Sequence, residues 1–264
     1  VARRRRRRTS ARAQSMPAWA KLTPSSAIER LKANDPSLTV VDLSNNAVLQ
    51  MKGKELWPQI GEAIAANSVC TEINFSGCMM NDFAAEQLAE GLKKNKTVAS
   101  VNLENNSISN DGAIAIAQAL AVNKGVMLLN LLGQKGARYG DTTLGEYLKM
   151  FETNITLLKI IWRLESRQSF RLTKMLTRNN DIDRRIKANR EYADLLPPGA
   201  TVLPPDLVDQ RAASASVLGT PRETAPAPVS SDRGSGSNRA SEASEMIKAA
   251  RASAAEPPAA PVAA

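Results

Sequence analysis

The sequence predicts an α/β leucine-rich-repeat solenoid, a right-handed βα horseshoe of about five repeats with parallel strands inside, helices outside and a capping helix at each end. Four segments, beginning at Leu38, Cys70, Val98 and Val126, share the frame L-x-x-L-x-L-x-x-N/C, and a looser copy begins at Leu157. Their starts lie 32, 28, 28 and 31 residues apart, which leaves room for a full helix after each strand. Because one repeat cannot bury its apolar face alone, stacking builds the core and a broad surface for another macromolecule.

The ends of the helices can be read from the sequence. Asp82, Asp111 and Asp141 stand where an N-cap is expected, because a carboxylate can accept bonds from the free N–H groups of a first turn. At the other end, we expect each helix to stop at an asparagine in the left-handed conformation, three residues before the next strand motif. These asparagines are Asn67, Asn95, Asn123 and Asn154.

The last position of the repeat frame predicts a ladder of side chains that bond the backbone between neighbouring coils. Its members are Asn46, Cys78, Asn106 and, less well matched, Gln134.

Two repeats are long because of residues inserted around 50–54 and 133–140. Insertions in a solenoid lie in loops on one face. Either they form a binding face or the loops simply differ in length, and both interpretations stay open.

Both ends of the repeat array carry a predicted cap. A short helix from Ser25 or Ser26 to Ala33 closes the first edge, and a basic amphipathic helix over about 168–193 closes the last. The apolar contacts of the second helix are expected to be Phe170, Leu172, Met175 and Ile182.

Composition then divides the chain into three parts. Residues 1–23 are predicted to be a disordered basic segment, residues 24–196 the folded domain with its C-terminal capping helix, and residues 197–264 a disordered tail rich in Pro, Ala and Ser.

The net charge of +9 is unevenly distributed. Residues 1–21 carry eight basic and no acidic side chains, residues 22–158 carry 11 basic and 14 acidic, and residues 159–190 carry ten basic and three acidic. The repeats are therefore mildly acidic and their C-terminal end is strongly basic.

Several classes of site are excluded or disfavoured. The chain has no histidine, which excludes His-dependent triads and His-ligated zinc. It has no phosphate-binding or nucleophile motif and no metal-ligand spacing, so we expect no enzyme activity, metal or cofactor. Two cysteines argue against a disulfide framework and for a reducing compartment, and no apolar run approaches the about 18 residues of a membrane span.

The outward strand positions form a polar column on the concave face. This column is either a recognition strip or part of the repeat consensus. Its members are Asp42, Asn74, Asn102 and Asn130.

Two end segments carry a more specific resemblance. Leu31-Lys-Ala-Asn-Asp-Pro-Ser-Leu38, Asn154-Ile-Thr-Leu-Leu-Lys159 and Asn179-Asn-Asp-Ile-Asp-Arg-Arg185 resemble the C-terminal leucine-rich domain of tropomodulin, over about residues 25–190. The resemblance implies a protein of the cytoplasmic cytoskeleton that binds actin and caps filament pointed ends. We also expect a monomer that does not bind a membrane. By position, the implied contact residues are Lys159, Arg163, Arg171, Lys174, Arg178, Arg184 and Arg185.

The sequence also departs from that family. Tropomodulins have a long N-terminal half that binds tropomyosin, whereas only about 24 residues precede the repeats here. Tropomyosin binding and tight capping, which in the family needs both halves, are therefore in doubt.

Two other functions stay open at this point. One is a generic leucine-rich scaffold for another protein, in a cilium or a signalling complex. The other is nucleic-acid binding through Arg3–Arg8, a less favoured interpretation because the first Met is Met16 and residues 1–15 are not assured to be part of the protein.

Overall fold

A computed structural model of the chain describes residues 22–213; the predicted basic N-terminal segment up to residue 21 and the tail from residue 214 lie outside the described residues. Helices and three-residue strands alternate along this range, and a short 3₁₀ helix, Ala193–Leu195, lies between the last two α-helices. The α-helices and strands are α1 (Pro24–Lys32), β1 (Val40–Asp42), α2 (Ala47–Ala66), β2 (Glu72–Asn74), α3 (Asp82–Lys94), β3 (Ser100–Asn102), α4 (Asn110–Val122), β4 (Leu128–Asn130), α5 (Asp141–Met150), β5 (Lys159–Ile161), α6 (Ser169–Lys187) and α7 (Pro205–Ala213).

The five strands form one parallel sheet in the order β1-β2-β3-β4-β5, which confirms the predicted solenoid. The strands pair in register at the fourth position of the repeat frame, so that this position forms a continuous row across the sheet. The first four residues of the row are fully buried, because alternate strand residues point inward against the helices. The row consists of Val41, Ile73, Val101, Leu129 and Ile160.

The helix starts differ from the prediction by one or two residues. Asn81 and Ser109 are the N-caps of α3 and α4, and Gly140 precedes α5 without a side-chain cap bond. The predicted aspartates lie instead in the first turns, where a carboxylate is still favoured by the positive end of the helix. Asp82 also reaches the next coil, since its Oδ1 accepts from the backbone N–H of Ser109 at 2.7 Å and its Oδ2 accepts from the Ser109 hydroxyl at 2.7 Å.

The predicted left-handed helix ends are wrong. Asn67, Asn95 and Asn123 have extended backbones with φ of −85°, −75° and −70°. Their side chains, with that of Asn154, are buried and bond the turns between coils. The Asn123 amide donates to the carbonyls of Leu92 and Asn95 at 2.7 and 2.8 Å, while its Oδ1 accepts from the N–H groups of Gly125 and Val126, both at 2.9 Å. These asparagines form the regular amide ladder of the solenoid.

The insertion around residues 50–54 is not a loop. It forms the first part of α2, which continues past Lys52 although that residue has non-helical angles of φ −115° and ψ 20°. The helical extension leaves Met51 exposed. The second insertion is a loop, as predicted, and Tyr139 at its end makes a parallel bridge to Leu164.

The outer helices approach very closely at two glycines. A Cβ placed on Gly61 of α2 would lie 2.4 Å from the carbonyl oxygen of Gln87, and one on Gly91 of α3 would lie 2.5 Å from that of Gly61. Only glycine permits this spacing between α2 and α3.

The cap helix α6 is shorter than predicted, and its first aromatic residue is not a core contact. Leu172, Ile182 and Ile186 are buried, whereas Phe170 is 69% exposed. Phe170 lies in the first turn of α6, beyond the reach of the last repeat.

The folded region extends past the predicted boundary at residue 196. Residues 188–213, here called the strap, return over the last coil. Tyr192 and Leu203 are buried against Ile155, Ile182 and Ile186, and the Leu203 N–H donates to the Tyr192 hydroxyl at 3.1 Å. The average composition of the tail predicted disorder, because these few buried apolar residues are outnumbered in it by Pro, Ala and Ser.

The strap ends in a buried arginine. Arg211 Nη2 donates to the carbonyl of Thr156 at 2.9 Å, and its Nη1 lies 3.6 Å from Asp183 Oδ1. Burial lowers the pKa of the Arg211 guanidinium, and the Asp183 carboxylate opposes that effect. Strap and cap helix are thus joined through a buried ion pair.

Candidate functional site

The last strand and the cap helix bring the predicted cations to one end of the solenoid. Lys159 begins β5 and is exposed, and Arg163 follows β5 with an exposed side chain. On α6 the apolar residues face the repeats, so Arg171 and Lys174 face solvent. We call the exposed members of this set the basic end: Lys159, Arg163, Arg171, Lys174 and Arg184.

Acidic neighbours reduce the charge of part of this surface. Glu165 lies 3.7 Å from Arg163 and 3.5 Å from Arg138, and Arg184 lies 3.3 Å from Asp181. Arg138 belongs to the 133–140 insertion. The insertion itself marked this loop as a possible binding face, whereas the charge count over residues 159–190 did not include Arg138.

Three members of the basic end have no carboxylate partner among residues 22–213: Lys159, Arg171 and Lys174. Arg171 donates to the side-chain oxygen of Gln168 at 3.1 Å, which leaves its charge unneutralised. These cations are the ones best placed to attract an acidic partner.

Two of the predicted contact arginines have bonding partners within the domain. Arg178 Nη2 donates to the carbonyls of Phe151 and Asn154 at 2.9 and 3.1 Å and to Asn179 Oδ1 at 2.8 Å, and burial lowers its pKa. Arg185 is paired with Asp194 of the strap. Both side chains therefore have structural partners that the sequence pattern did not reveal.

The polar column of the concave face is in register across β1 to β4, as predicted. Each member uses its Oδ1 to accept the backbone N–H two residues ahead, at 2.9–3.1 Å. This repeated turn bond favours the consensus interpretation of the column over a recognition strip. The column consists of Asp42, Asn74, Asn102 and Asn130.

An exposed apolar surface, which the sequence did not predict, lies at the start of α2 and α3. Met51 is 84% exposed, Met79 is 59% exposed and Phe83 is 39% exposed. They line a cavity of about 460 Å³ with Leu49 and Trp57. We call Met51, Met79 and Phe83 the methionine patch. Met79 has a φ of 55°, a conformation that a side chain of this size seldom adopts.

Two further findings bear on the kind of site. Within residues 22–213 no three His, Cys, Asp or Glu side chains come together as metal ligands would. In the same range, every helix is too short or too polar to cross a bilayer.

Comparison with known proteins gives consistent results. Residues 21–182 match the family model of the TMOD/LMOD leucine-rich domain. A solved structure described as leiomodin-1 actin-binding site 2 is 30% identical, with a TM-score of 0.59, and the match covers 64% of this chain and 96% of that one. The tropomodulin C-terminal domain of Caenorhabditis elegans has the same TM-score at 19% identity, over 64% of this chain and 100% of that one. No curated protein matches the chain significantly.

Proposed function

The chain belongs to the tropomodulin and leiomodin family of leucine-rich domains, and on that premise we propose that it is an actin-binding protein. The observation that carries the proposal is the 30% identity with leiomodin-1 actin-binding site 2 over 96% of that structure. The family match covers residues 21–182, which include all five strands and most of α6.

The basic end is the proposed contact surface. Actin is acidic, and Lys159, Arg171 and Lys174 are exposed cations without a carboxylate partner in the described part of the chain. Opposite charges on two surfaces increase the rate of association and fix the orientation of binding more than they increase affinity. Arg163 and Arg184, whose partners are exposed carboxylates, would contribute less.

The finer proposal is capping of the pointed end of actin filaments, by a monomeric, non-enzymatic protein of the cytoplasmic cytoskeleton. It rests on family membership. Tropomyosin binding is not part of the proposal, because no feature of residues 22–213 described above points to it.

Actin co-sedimentation tests the proposal. We expect the full chain to pellet with filaments, and the triple variant Lys159→Glu/Arg171→Glu/Lys174→Glu to bind at least about tenfold more weakly, since reversed charges would face an acidic surface. Binding of the unaltered chain should weaken as salt rises from 50 to 200 mM.

A matched control changes the charge equally elsewhere. Lys54, Lys94 and Lys149 are exposed on α2, α3 and α5, and reversing all three should leave actin binding within about twofold. If actin affinity fell equally in both triple variants, the basic end would be rejected as the contact surface. The proposal that the protein binds actin would still stand.

Pyrene-actin elongation from pointed ends tests the finer proposal. Slower elongation at substoichiometric protein is the expected result. Absence of co-sedimentation at tens of micromolar protein would reject actin binding altogether. Purification with one stoichiometric partner other than actin would then favour the scaffold interpretation.

A further inference from the structure

A pocket of about 290 Å³ lies between α7 and the turns that precede β2, β3 and β4. Its wall is mostly apolar and includes Leu207 and Arg211 of α7. The family match ends at residue 182, so α7 lies outside the region that matches the family model. Without the strap, the repeats would leave this place open on the side that α7 covers.

The rest of the wall comes from equivalent positions of three successive coils. Thr71, Ala99 and Met127 each precede a strand directly. Their backbones are bonded in series, from the Ala99 N–H to the Thr71 carbonyl and from the Met127 N–H to the Ala99 carbonyl, both at 2.8 Å. Neighbouring strands lie about 4.8 Å apart, so three coils give the pocket a floor about 10 Å long. Because the backbone bonds fix this spacing, the pocket exists before any ligand binds.

Two lysines give the pocket its charge. Lys96 and Lys124 directly follow the ladder asparagines of two successive coils, and both line the pocket. Lys96 is exposed, whereas Lys124 is partly buried and donates to the Thr153 carbonyl at 2.8 Å. Within residues 22–213 neither lysine has a carboxylate partner, and no acidic side chain of that range lines the pocket. An apolar wall thus lies beside two positive charges that no ion pair neutralises.

The size and charge of the pocket define the chemistry of its ligand. A cavity of about 150 Å³ takes one benzene ring, so this pocket takes an apolar body of about ten to twelve atoms. Two lysines without carboxylate partners favour an anionic group on that body, because hydrogen bonds between charged groups are about twice as strong as neutral ones. The small volume suits a free ligand better than a peptide, whose backbone would need room beside the side chain that enters the pocket.

We infer that this pocket binds a small organic anion. Its apolar body, of about ten to twelve atoms, would pack against Ala99, Met127 and Leu207, and its carboxylate would bond Lys96 and Lys124. The pocket shares no residue with the basic end. This inference therefore stands or falls separately from actin binding.

Methyl NMR of the full chain with ¹³C-labelled methionines tests the inference, with 2-naphthoate as the probe. Met127 lines the pocket, whereas Met51 and Met79 are exposed elsewhere and report non-specific binding. We expect the Met127 resonance, identified with Met127→Leu, to shift and to saturate with a Kd below about 1 mM, while the resonances of Met51 and Met79 stay unchanged. No shift at Met127 up to about 5 mM probe, or equal shifts at all three methionines, would overturn the inference.

A neutral probe and charge variants test the role of the lysines. 2-Naphthamide has the same rings without the charge, so it should bind at least about tenfold more weakly than 2-naphthoate. Lys96→Gln/Lys124→Gln should weaken 2-naphthoate binding equally, and Lys96→Gln alone, which keeps the bond from Lys124 to Thr153, by at least about threefold. The matched control Lys54→Gln/Lys149→Gln changes two exposed lysines elsewhere and should bind 2-naphthoate as the unaltered chain does. Equal affinity for the two probes, or equal affinity of the two double variants for 2-naphthoate, would overturn the inference.

Discussion

At both edges of the solenoid, side chains bond the backbone groups of the turns between coils. One edge uses asparagine each time, whereas the residue at the other edge varies. At the helix-to-strand edge, all four coils use a buried asparagine, and each bonds backbone groups both in its own turn and in the coil before it. At the strand-to-helix edge, the corresponding positions hold Asn46, Cys78, Asn106 and Gln134.

The number of backbone groups that each side chain bonds varies at the second edge. Asn106 donates to three carbonyls and accepts from the Met80 N–H, which makes four groups, as for Asn123, whereas Cys78 bonds fewer. Asn123 satisfies four groups, two as donor and two as acceptor, and no side chain other than an amide of that length can do so. Cys78 has only to donate, to the Leu43 carbonyl at 3.0 Å. Asn46 belongs to the first coil and caps α2 instead. The edge with the variable residue is also where the insertions, the methionine patch and Arg138 lie.

Removing an amide from the uniform edge should have the largest effect. Asn123→Ala leaves four buried backbone groups unsatisfied, and we expect a loss of about 3–5 kcal/mol in the free energy of unfolding. Urea denaturation of the domain measures it. A loss below about 1 kcal/mol would show that this edge is no more demanding than the other.

The strap should make the next largest contribution, because it covers the same edge beside Thr156. Arg211→Met removes the bond to the Thr156 carbonyl and leaves Asp183, itself buried, with the Lys187 ammonium at 2.9 Å as its remaining ionic partner. We expect a loss of about 2–4 kcal/mol in the free energy of unfolding. Asp183→Asn with Arg211→Met should cost less than the sum of the two changes, and strict additivity would argue against coupling of this pair.

Substitution on the irregular edge should cost much less. Cys78→Ala removes one thiol bond, and we expect a loss of about 1 kcal/mol in the free energy of unfolding. Cys78→Asn places in this coil the side chain that serves Asn106, and it should stay within about 1 kcal/mol of the unaltered protein. If Cys78→Ala were as costly as Asn123→Ala, the proposed difference between the edges would not hold.

The smallest effect is expected from pH, at the turn before β1. Hydrogen bonds from the Ser37 hydroxyl and N–H, and from Arg30, lower the pKa of Asp35 to about 2. Since the folded pKa lies below the unfolded value near 3.9, the ionised carboxylate stabilises the fold above pH 4, and this contribution disappears as the pH falls to 2. Urea midpoints of the unaltered chain and Asp35→Asn should therefore converge between pH 4 and pH 2. A gap between the urea midpoints that persists at pH 2 would point to packing and not to the charge of Asp35.

The sequence predicted the strands well because their signal is local and repeated. Val41, Ile73, Val101 and Leu129 recur in one frame, and the period of the repeat fixes their pairing. The C-terminal ends of α2, α3 and α4 were located correctly but given the wrong conformation, whereas α5 ends at Met150, four residues before the predicted Asn154. An asparagine after a helix suits both a left-handed turn and a buried amide ladder, and only contacts between coils distinguish the two.

The candidate site was less predictable for a similar reason. A cation on an amphipathic helix looks the same in sequence whether it faces solvent, as Lys174 does, or donates to carbonyls of the preceding coil, as Arg178 does. The strap contacts the cap helix only because the chain reverses direction after α6. The composition of the strap does not reveal such a reversal. The methionine patch depends on a helical extension over residues 50–54, where an insertion in the repeat had predicted a loop.

The glycine contact between α2 and α3 has a geometric consequence for the concave face. In a solenoid, curvature grows with the difference between the spacing of the outer helices and that of the inner strands. Where the Gly61 carbonyl lies against Gly91, the outer spacing is as small as two backbones allow, so the wall bends little between these coils. A side chain larger than hydrogen at either position would force the helices apart and tighten the bend, and it would do so without touching any residue that a partner contacts.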